Sequence, residues 1–194
     1  MSSENPTRRK ILNAAWTLLE QGGSQIRMSD IAKASGISRQ ALYLHFPSRA
    51  ELLVAVTRHL DAEKEIDARL AESRSAATGQ ARLAAFIAAW GNYIPEIRGV
   101  ARALMAMAES DTEARAAWDD RMDAVRQGCA AAVAALARDG QLAPALNEAR
   151  ATDLLWGLLS VPLWIQLRET CGWSQEAYIA EMQRLAARAL LAEG

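Results

Sequence analysis

Apolar residues recur three and four positions apart along almost the whole chain, and this spacing restricts the possible folds more than any other feature of the sequence. Residues three or four positions apart share one face of an α-helix, whereas a half-buried strand alternates with period two. No segment of the sequence shows that alternation, and alanine, a strong helix former, is abundant. The sequence therefore predicts an all-α fold of about nine helices.

Glycine and capping residues divide the N-terminal part of this pattern. The first helix is expected to begin near Thr7 and to end at Gly22 and Gly23, because glycine accepts the left-handed conformation of a helix C-terminus. Ser48 and Glu51 form a capping box, in which the serine side chain accepts from the glutamate amide. A long fourth helix is expected to start there.

Similar signals divide the C-terminal part. A proline inside a helix removes one backbone hydrogen bond, so Pro95 is expected to end one helix before a short successor over residues 97–108. Asp111 is the predicted N-cap of the next helix. The last two helices are expected over residues 147–170 and 174–192, and Ser174 is the predicted N-cap of the second. The middle of the first of these is apolar on nearly every side, which indicates that it is covered on more than one face.

The strongest local signal lies in residues 28–46, MSDIAKASGISRQALYLHF. Two helices of about two turns, joined by a short turn that contains Gly36, match the helix-turn-helix pattern. Glycine suits the positive φ that this turn needs. Three apolar side chains are expected to fix the crossing of the two helices: Ile31, Ile37 and Leu42. Four side chains are expected on the outward side of the second helix: Ser38, Arg39, Gln40 and Tyr43.

That outward side can enter the major groove of DNA and contact base edges there. Gln40 can pair with adenine, and Arg39 can pair with guanine or with a phosphate. The alternatives are that Ser38 is only a helix N-cap and that Arg39 is only a solvated charge.

Around this motif the chain resembles the TetR family of transcriptional regulators. The resemblance is carried by TRRKILNAA, IAKASGIS and ALYLHFPSRAELL, which together extend over about 50 residues. It implies that Tyr43 and His45 touch the DNA backbone and that Arg49 meets a phosphate. Arg27 stands where the family often has a threonine that caps the second helix, and an arginine can reach a phosphate from the same place.

Other interpretations of these positions remain open. Tyr43 can instead pack on the first helix, and His45 can be hydrogen-bonded within the N-terminal domain. Leu19 and Leu44 stand where aromatic residues are common in the family, which we interpret as variation in packing.

The resemblance also implies two domains, a helix-turn-helix DNA-binding domain over residues 1–47 and an effector-binding and dimerisation domain over residues 48–194. A homodimer is expected to form through the last two helices in a four-helix bundle. The alternative is that the apolar helix is simply the core of one subunit.

A small, largely apolar effector is expected in the second domain, although its identity and polarity stay open. Arg121 can pair with an acidic ligand or with a nearby carboxylate such as Asp119 or Asp123. Large side chains on the fifth to eighth helices are the candidates for lining the pocket, and the same stripe also suits an ordinary core: Trp90, Tyr93, Met105, Trp118, Met122 and Trp156.

The charge of the chain is distributed unevenly. The formal net charge is −1. Residues 1–60 contain eight basic and four acidic residues, a net +4, so the remainder carries −5. A basic N-terminal domain supplies the attraction to phosphates that the total charge conceals.

The sequence argues against several other classes of protein. His45 and His59 both lie in or beside the DNA-binding domain, and no glycine-rich phosphate loop, GxSxG or HExxH motif is present, so we expect no enzyme, cofactor or metal site. The longest uncharged run is too short for a membrane span, and no secretory signal is visible, so we expect a cytoplasmic protein. Cys129 and Cys171 are interpreted as buried thiols.

These features predict a repressor that binds a palindromic double-stranded operator as a homodimer. An effector would favour a conformation with a different separation of the two recognition helices and so release the DNA. The alternative is a constitutive DNA-binding regulator without an effector.

Overall fold

The computed structural model describes residues 5–22 and 26–192, which are mainly helical. In chain order, the α-helices are α1 (Pro6–Glu20), α2 (Met28–Ser35), α3 (Arg39–His45), α4 (Arg49–Glu63), α5 (Ile66–Arg69), α6 (Ala71–Ser75), α7 (Gly79–Ala108), α8 (Thr112–Arg138), α9 (Glu148–Leu158), α10 (Val161–Ile165) and α11 (Gln175–Leu190). A π-helical turn, Gln166–Thr170, follows α10. The described residues contain no β-strand, so the all-α prediction is confirmed. Among the same residues, no helix is both long and apolar enough to cross a membrane.

The predicted capping residues begin helices as expected. The side chains of Ser48, Asp111 and Ser174 each accept a backbone N–H from the first turn of the helix that follows, at 3.1 Å. Gly22, just beyond α1, has a φ of 77°, which fits the predicted end of that helix. Gly23 lies outside the described residues.

Pro95 does not end a helix, so this prediction is wrong: α7 continues through it without a break. Pro95 has no N–H to donate to the Gly91 carbonyl one turn earlier. That carbonyl instead accepts from the side-chain amide of Gln175 at 2.8 Å. The other end of the Gln175 amide accepts from Trp164 and Arg168, which fixes its orientation. The missing backbone bond is thus replaced by a side chain, and the helix can continue.

The single helix expected over residues 147–170 is interrupted. Its start agrees with the prediction, since Asn147 caps α9, but α9 ends at Leu158 and the backbone of Ser160 is extended. Pro162 explains the break, because in a continuous helix its ring would clash with the Leu158 carbonyl and it could not donate to it. Pro162 lies in the first turn of α10, where no backbone donor is needed.

Two compact units make up the described chain. The first combines the residues up to Lys64 with Ile97–Met122, and the second combines Glu65–Glu96 with the residues from Asp123 onward. The predicted domain boundary after residue 47 falls inside the first unit and stays a prediction.

The two cysteines differ in their surroundings. Cys129 is fully buried, and burial raises the pKa of its thiol to about 12. Cys171 is exposed, so its interpretation as a buried thiol is wrong. It follows the π-helical turn at the surface. The sequence has no regular apolar spacing at this point, so the exposure of Cys171 could not be predicted from it.

Candidate nucleic-acid interface

The helix-turn-helix is built around a small apolar contact. Ile31 and Leu42 are fully buried, Ala32 is buried beside them, and Ile37 is half-buried. Gly36 connects α2 to α3 with a φ of 64°, as the turn requires. The predicted motif is therefore present, with α3 as the candidate recognition helix.

The outward side of α3 carries the side chains that the sequence predicted. Arg39, Gln40 and Tyr43 are exposed, and Ser38 caps the helix by accepting from the Ala41 amide at 3.1 Å. The guanidinium carbon of Arg39 lies 5.6 Å from the centre of the Tyr43 ring. Tyr43 is 39% exposed, which argues against its packing on α1.

Leu44 does not pack, contrary to our interpretation. Its side chain is 87% exposed, whereas Leu19, for which packing was likewise expected, is buried. The cause is helical phase, because Leu44 lies two positions after the buried Leu42 and so points to the opposite side of α3. The distance in sequence from Leu42 could have indicated this.

Arg27 lies at the start of α2 with an exposed side chain. Its backbone N–H donates to Asp30 Oδ2 at 3.1 Å. The Asp30 carboxylate thus reaches back to close the first turn of a helix that begins without a threonine cap. The Arg27 side chain takes no part in this cap.

His45 contributes to the first unit through its backbone. Its carbonyl accepts from Arg8 Nη1 at 3.1 Å, and the Arg8 guanidinium lies 4.1 Å above the centre of the Phe46 ring. The His45 side chain is half-buried. Arg8 is therefore a packing group that ties α1 to the end of α3.

The Arg49 side chain is held by hydrogen bonds and ion pairs within the first unit. Its Nε donates to the Ile26 carbonyl at 2.6 Å, and its Nη1 donates to Asp111 Oδ2 at 2.6 Å, with Glu113 Oε2 at 3.5 Å. Only 13% of the side chain is exposed. The guanidinium joins the segment before α2 to the turn between α7 and α8, which the sequence resemblance did not indicate.

Asp111 is stabilised as a carboxylate in this arrangement. Burial opposes its charge, but the amides of Ala114 and Glu113 and the Arg49 guanidinium outweigh this effect and hold the pKa of Asp111 below its ordinary value of 3.8. The ion pair is therefore fully formed near neutral pH.

An open groove of about 970 Å³ lies on this face of the first unit. Its lining includes the exposed basic and aromatic side chains Arg27, Arg39 and Tyr43, together with the Arg49–Asp111 pair. The groove therefore brings together predicted DNA-binding residues from the segment before α2, from α3 and from the start of α4.

The six candidate effector residues do not gather in one unit. Trp90 and Tyr93 are buried in the second unit with ring centroids 6.0 Å apart, and the Trp90 indole donates to the Leu159 carbonyl at 2.8 Å. Trp156, in the same unit, is 37% exposed. Met105, Trp118 and Met122 belong to the first unit. These positions stay predictions.

A small cavity of about 20 Å³ borders Trp118 in the first unit. Its walls are mostly aliphatic, and its polar edge is an ion pair at 2.9 Å between Arg121 and Asp61. Arg121 thus pairs with a carboxylate of α4 rather than with Asp119 or Asp123.

The comparisons with known proteins agree with this geometry. Residues 11–56 match the family model described as bacterial regulatory proteins, tetR family. The chain is 37% identical over 84 residues to the HTH-type transcriptional regulator BetI of Rhizobium meliloti, a match that covers 42% of this chain and 41% of the relative. The chain thus spans about two fifths of the length of the curated relatives it matches.

Two solved structures have a similar fold along nearly the whole chain. A proposed transcriptional regulator from Saccharomonospora viridis in complex with choline has a TM-score of 0.74 and 21% identity, covering 98% of this chain and 100% of its own. The transcriptional regulator FadR from Bacillus subtilis in complex with stearoyl-CoA has a TM-score of 0.75 and 16% identity, covering 93% and 98%. The helix-turn-helix and the family model identify residues 11–56 as a domain of the tetR family of bacterial regulatory proteins, and nearly the whole chain shares the fold of the two solved structures.

Proposed function

We propose that the protein regulates transcription by inserting α3 into the major groove of an operator. The observation that carries this proposal is the exposed outward side of α3, within the stretch that matches the tetR model. Arg39 and Gln40 are proposed to contact bases. Four further side chains are proposed to contact the DNA backbone: Arg27, Ser38, Tyr43 and His45.

We assign Arg49 a different role from the phosphate contact that the resemblance implied. Its donors are occupied by Ile26 and Asp111, and its side chain is largely buried. Arg49 is therefore proposed to act on DNA binding indirectly, by holding the start of α2 in position.

A homodimer through α9 and the helices that follow it is supported by the exposed side of α9. Leu154 is 51% exposed, Trp156 is 37% exposed, and Gly157 lies beside them at the surface. A glycine inside a helix costs about 1 kcal/mol relative to alanine. A Cβ at Gly157 would meet nothing within 4 Å, so no contact within the chain explains the glycine. A second helix approaching closely would explain it.

Operator binding can be tested by selecting bound fragments from random DNA. The expected result is a palindrome whose half-sites lie about one DNA turn, or a multiple of it, apart, because a two-fold dimer presents two copies of α3. Fluorescence anisotropy on the selected duplex should then show affinity that falls steeply with salt. Recovery of unrelated sequences, or of a single half-site, would contradict the proposal of a dimeric regulator.

We further propose that a small, largely apolar effector releases the operator by favouring a conformation with a different separation of the recognition helices. The choline and stearoyl-CoA complexes of the two similar structures support an effector of some kind. The cavity beside Trp118 is a candidate site, which a ligand would have to enlarge.

A constitutive regulator is the second candidate, and the small volume of that cavity favours it. A volume of about 20 Å³ accommodates little more than one water molecule. The anisotropy titration, repeated with choline, acyl-CoA thioesters and a set of amphipathic compounds, separates the two candidates. A regulated protein should lose operator affinity about 5- to 150-fold with one of them. Unchanged affinity with a compound that demonstrably binds the protein would contradict release by that compound.

A further inference from the structure

Leu44 is the most exposed large apolar side chain among the described residues. It is 87% exposed, compared with 51% for Leu154, 39% for Tyr43 and 37% for Trp156. A leucine with so little contact contributes nothing to packing within the chain. We therefore look for a contact of the Leu44 side chain with a molecule other than its own subunit.

Leu44 lies on the side of α3 that is opposite the buried Leu42. Each residue advances about 100° around a helix, so residues two positions from Leu42 lie about 200° away from it. Leu42 is fully buried and marks the inner side. The two residues at that spacing are Gln40 and Leu44, and both are exposed. They lie one helical turn apart, with Arg39 and Tyr43 beside them on one flank.

An exposed leucine at this position can contact only a few of the chemical groups that DNA presents. It can form no hydrogen bond with a phosphate or with a polar base edge. In the major groove the apolar group that each A·T pair presents is the C5-methyl group of thymine, whereas the edges of guanine and adenine present hydrogen-bonding groups. Contact between two apolar groups removes both from water and favours binding.

We propose that Leu44 is a base-reading residue that packs against the C5-methyl group of a thymine in each operator half-site. This inference rests on the proposed function, since it requires α3 to enter the major groove. Gln40 and Leu44 are about 6 Å apart at their β-carbons, as expected for residues four apart on a helix. Base pairs are stacked about 3.4 Å apart, so the two residues reach base pairs within about two steps of each other. Gln40 and Leu44 together are suited to two nearby A·T base pairs, with Gln40 bonded to an adenine and Leu44 packed on a thymine methyl group.

Replacing thymine by deoxyuridine tests the contact, because uracil lacks only the methyl group and keeps the same hydrogen-bonding edge. Each thymine in one half-site of the selected operator is replaced in turn, and affinity is measured by fluorescence anisotropy. For the wild-type protein we expect a loss of about fourfold at one thymine, the effect of removing one buried methyl group. Leu44→Ala should bind the thymine and uracil duplexes equally at that position.

Gln40→Ala is the matched control, because it changes the neighbouring residue on the same side of α3. It should weaken operator binding and keep the sensitivity to uracil. Leu44→Ala should leave the melting temperature unchanged, since the side chain makes almost no contacts within the chain. The proposal is overturned if no uracil substitution weakens wild-type binding, or if Leu44→Ala keeps the wild-type sensitivity. A protein that selects no DNA at all would instead refute the proposed function, and this result is distinct because no complex would form on any duplex.

Discussion

Leu154→Glu is expected to dissociate the proposed homodimer and to weaken operator binding by about 100-fold or more. Binding of the second half-site is intramolecular once the first is occupied, and losing that linkage removes a factor of about 10² to 10⁴ in affinity. Leu154 is half-exposed on α9, about 60° around the helix from Gly157. A carboxylate placed on this side of α9 would lose its hydration when a second subunit docks, which costs several kcal/mol.

Sedimentation equilibrium and operator anisotropy on the same samples measure the two effects. Ala116→Glu is the control, because it places the same charge at an exposed position of α8 in the other unit. It should leave the oligomeric state unchanged. If Leu154→Glu stays dimeric and binds the operator like the wild type, the dimer does not form through this side of α9.

Arg49→Ala is expected to lower the free energy of unfolding by about 2 kcal/mol, between the values for exposed and fully buried ion pairs. The substitution removes the guanidinium donor from the Ile26 carbonyl and from Asp111 Oδ2, and Asp111 keeps only its amide donors. Arg58→Ala is the matched control, because Arg58 is likewise an arginine of α4 paired with an aspartate, Asp120 of α8, at 3.1 Å. That pair is well exposed, so its loss should cost less than about 1 kcal/mol. Urea unfolding followed by circular dichroism measures both.

The same Arg49→Ala variant distinguishes an indirect role from a phosphate contact. We expect weaker binding to every sequence with no change in the slope of log affinity against log salt, because Arg49 neutralises no phosphate in our proposal. A contact to phosphate would instead reduce that slope by about 1. The second outcome would restore the role that the family resemblance implied.

The ion pair also predicts a dependence of stability on pH. The pKa of Asp111 is depressed in the folded protein, so its contribution is present above the unfolded value near 3.8 and is lost as the pH falls through the folded pKa. Unfolding measured between pH 6 and pH 3 should therefore show a smaller acid destabilisation for Asp111→Asn than for the wild type. If the free energy of unfolding declined equally in both proteins, the ion pair would contribute little to stability.

The sequence predicted those features whose cause is local. A serine or aspartate before a helix bonds to amides two or three residues away, so Ser48, Asp111 and Ser174 could be identified without any tertiary information. The side of α3 that faces outward follows from its helical period, which also places Leu44 opposite the buried Leu42, whereas the family resemblance alone does not indicate its exposure.

Features that depend on distant residues could not be predicted in this way. Arg49 meets Asp111 62 positions away, and nothing in either local sequence indicates the other. The interruption of a helix depends on both the proline and its surroundings. Pro162 accompanies a break and Pro95 does not, although each removes one backbone donor.

The hydrogen bond from Gln175 to the Gly91 carbonyl makes substitutions at positions 95 and 175 depend on each other during evolution. An apolar residue at position 175 would leave a buried carbonyl without a donor for as long as position 95 remained proline. Once position 95 regained a backbone N–H, a glutamine at 175 would no longer be required for that bond. Among relatives we therefore expect the two positions to change together, with proline at 95 retained only where a side-chain donor is retained at 175.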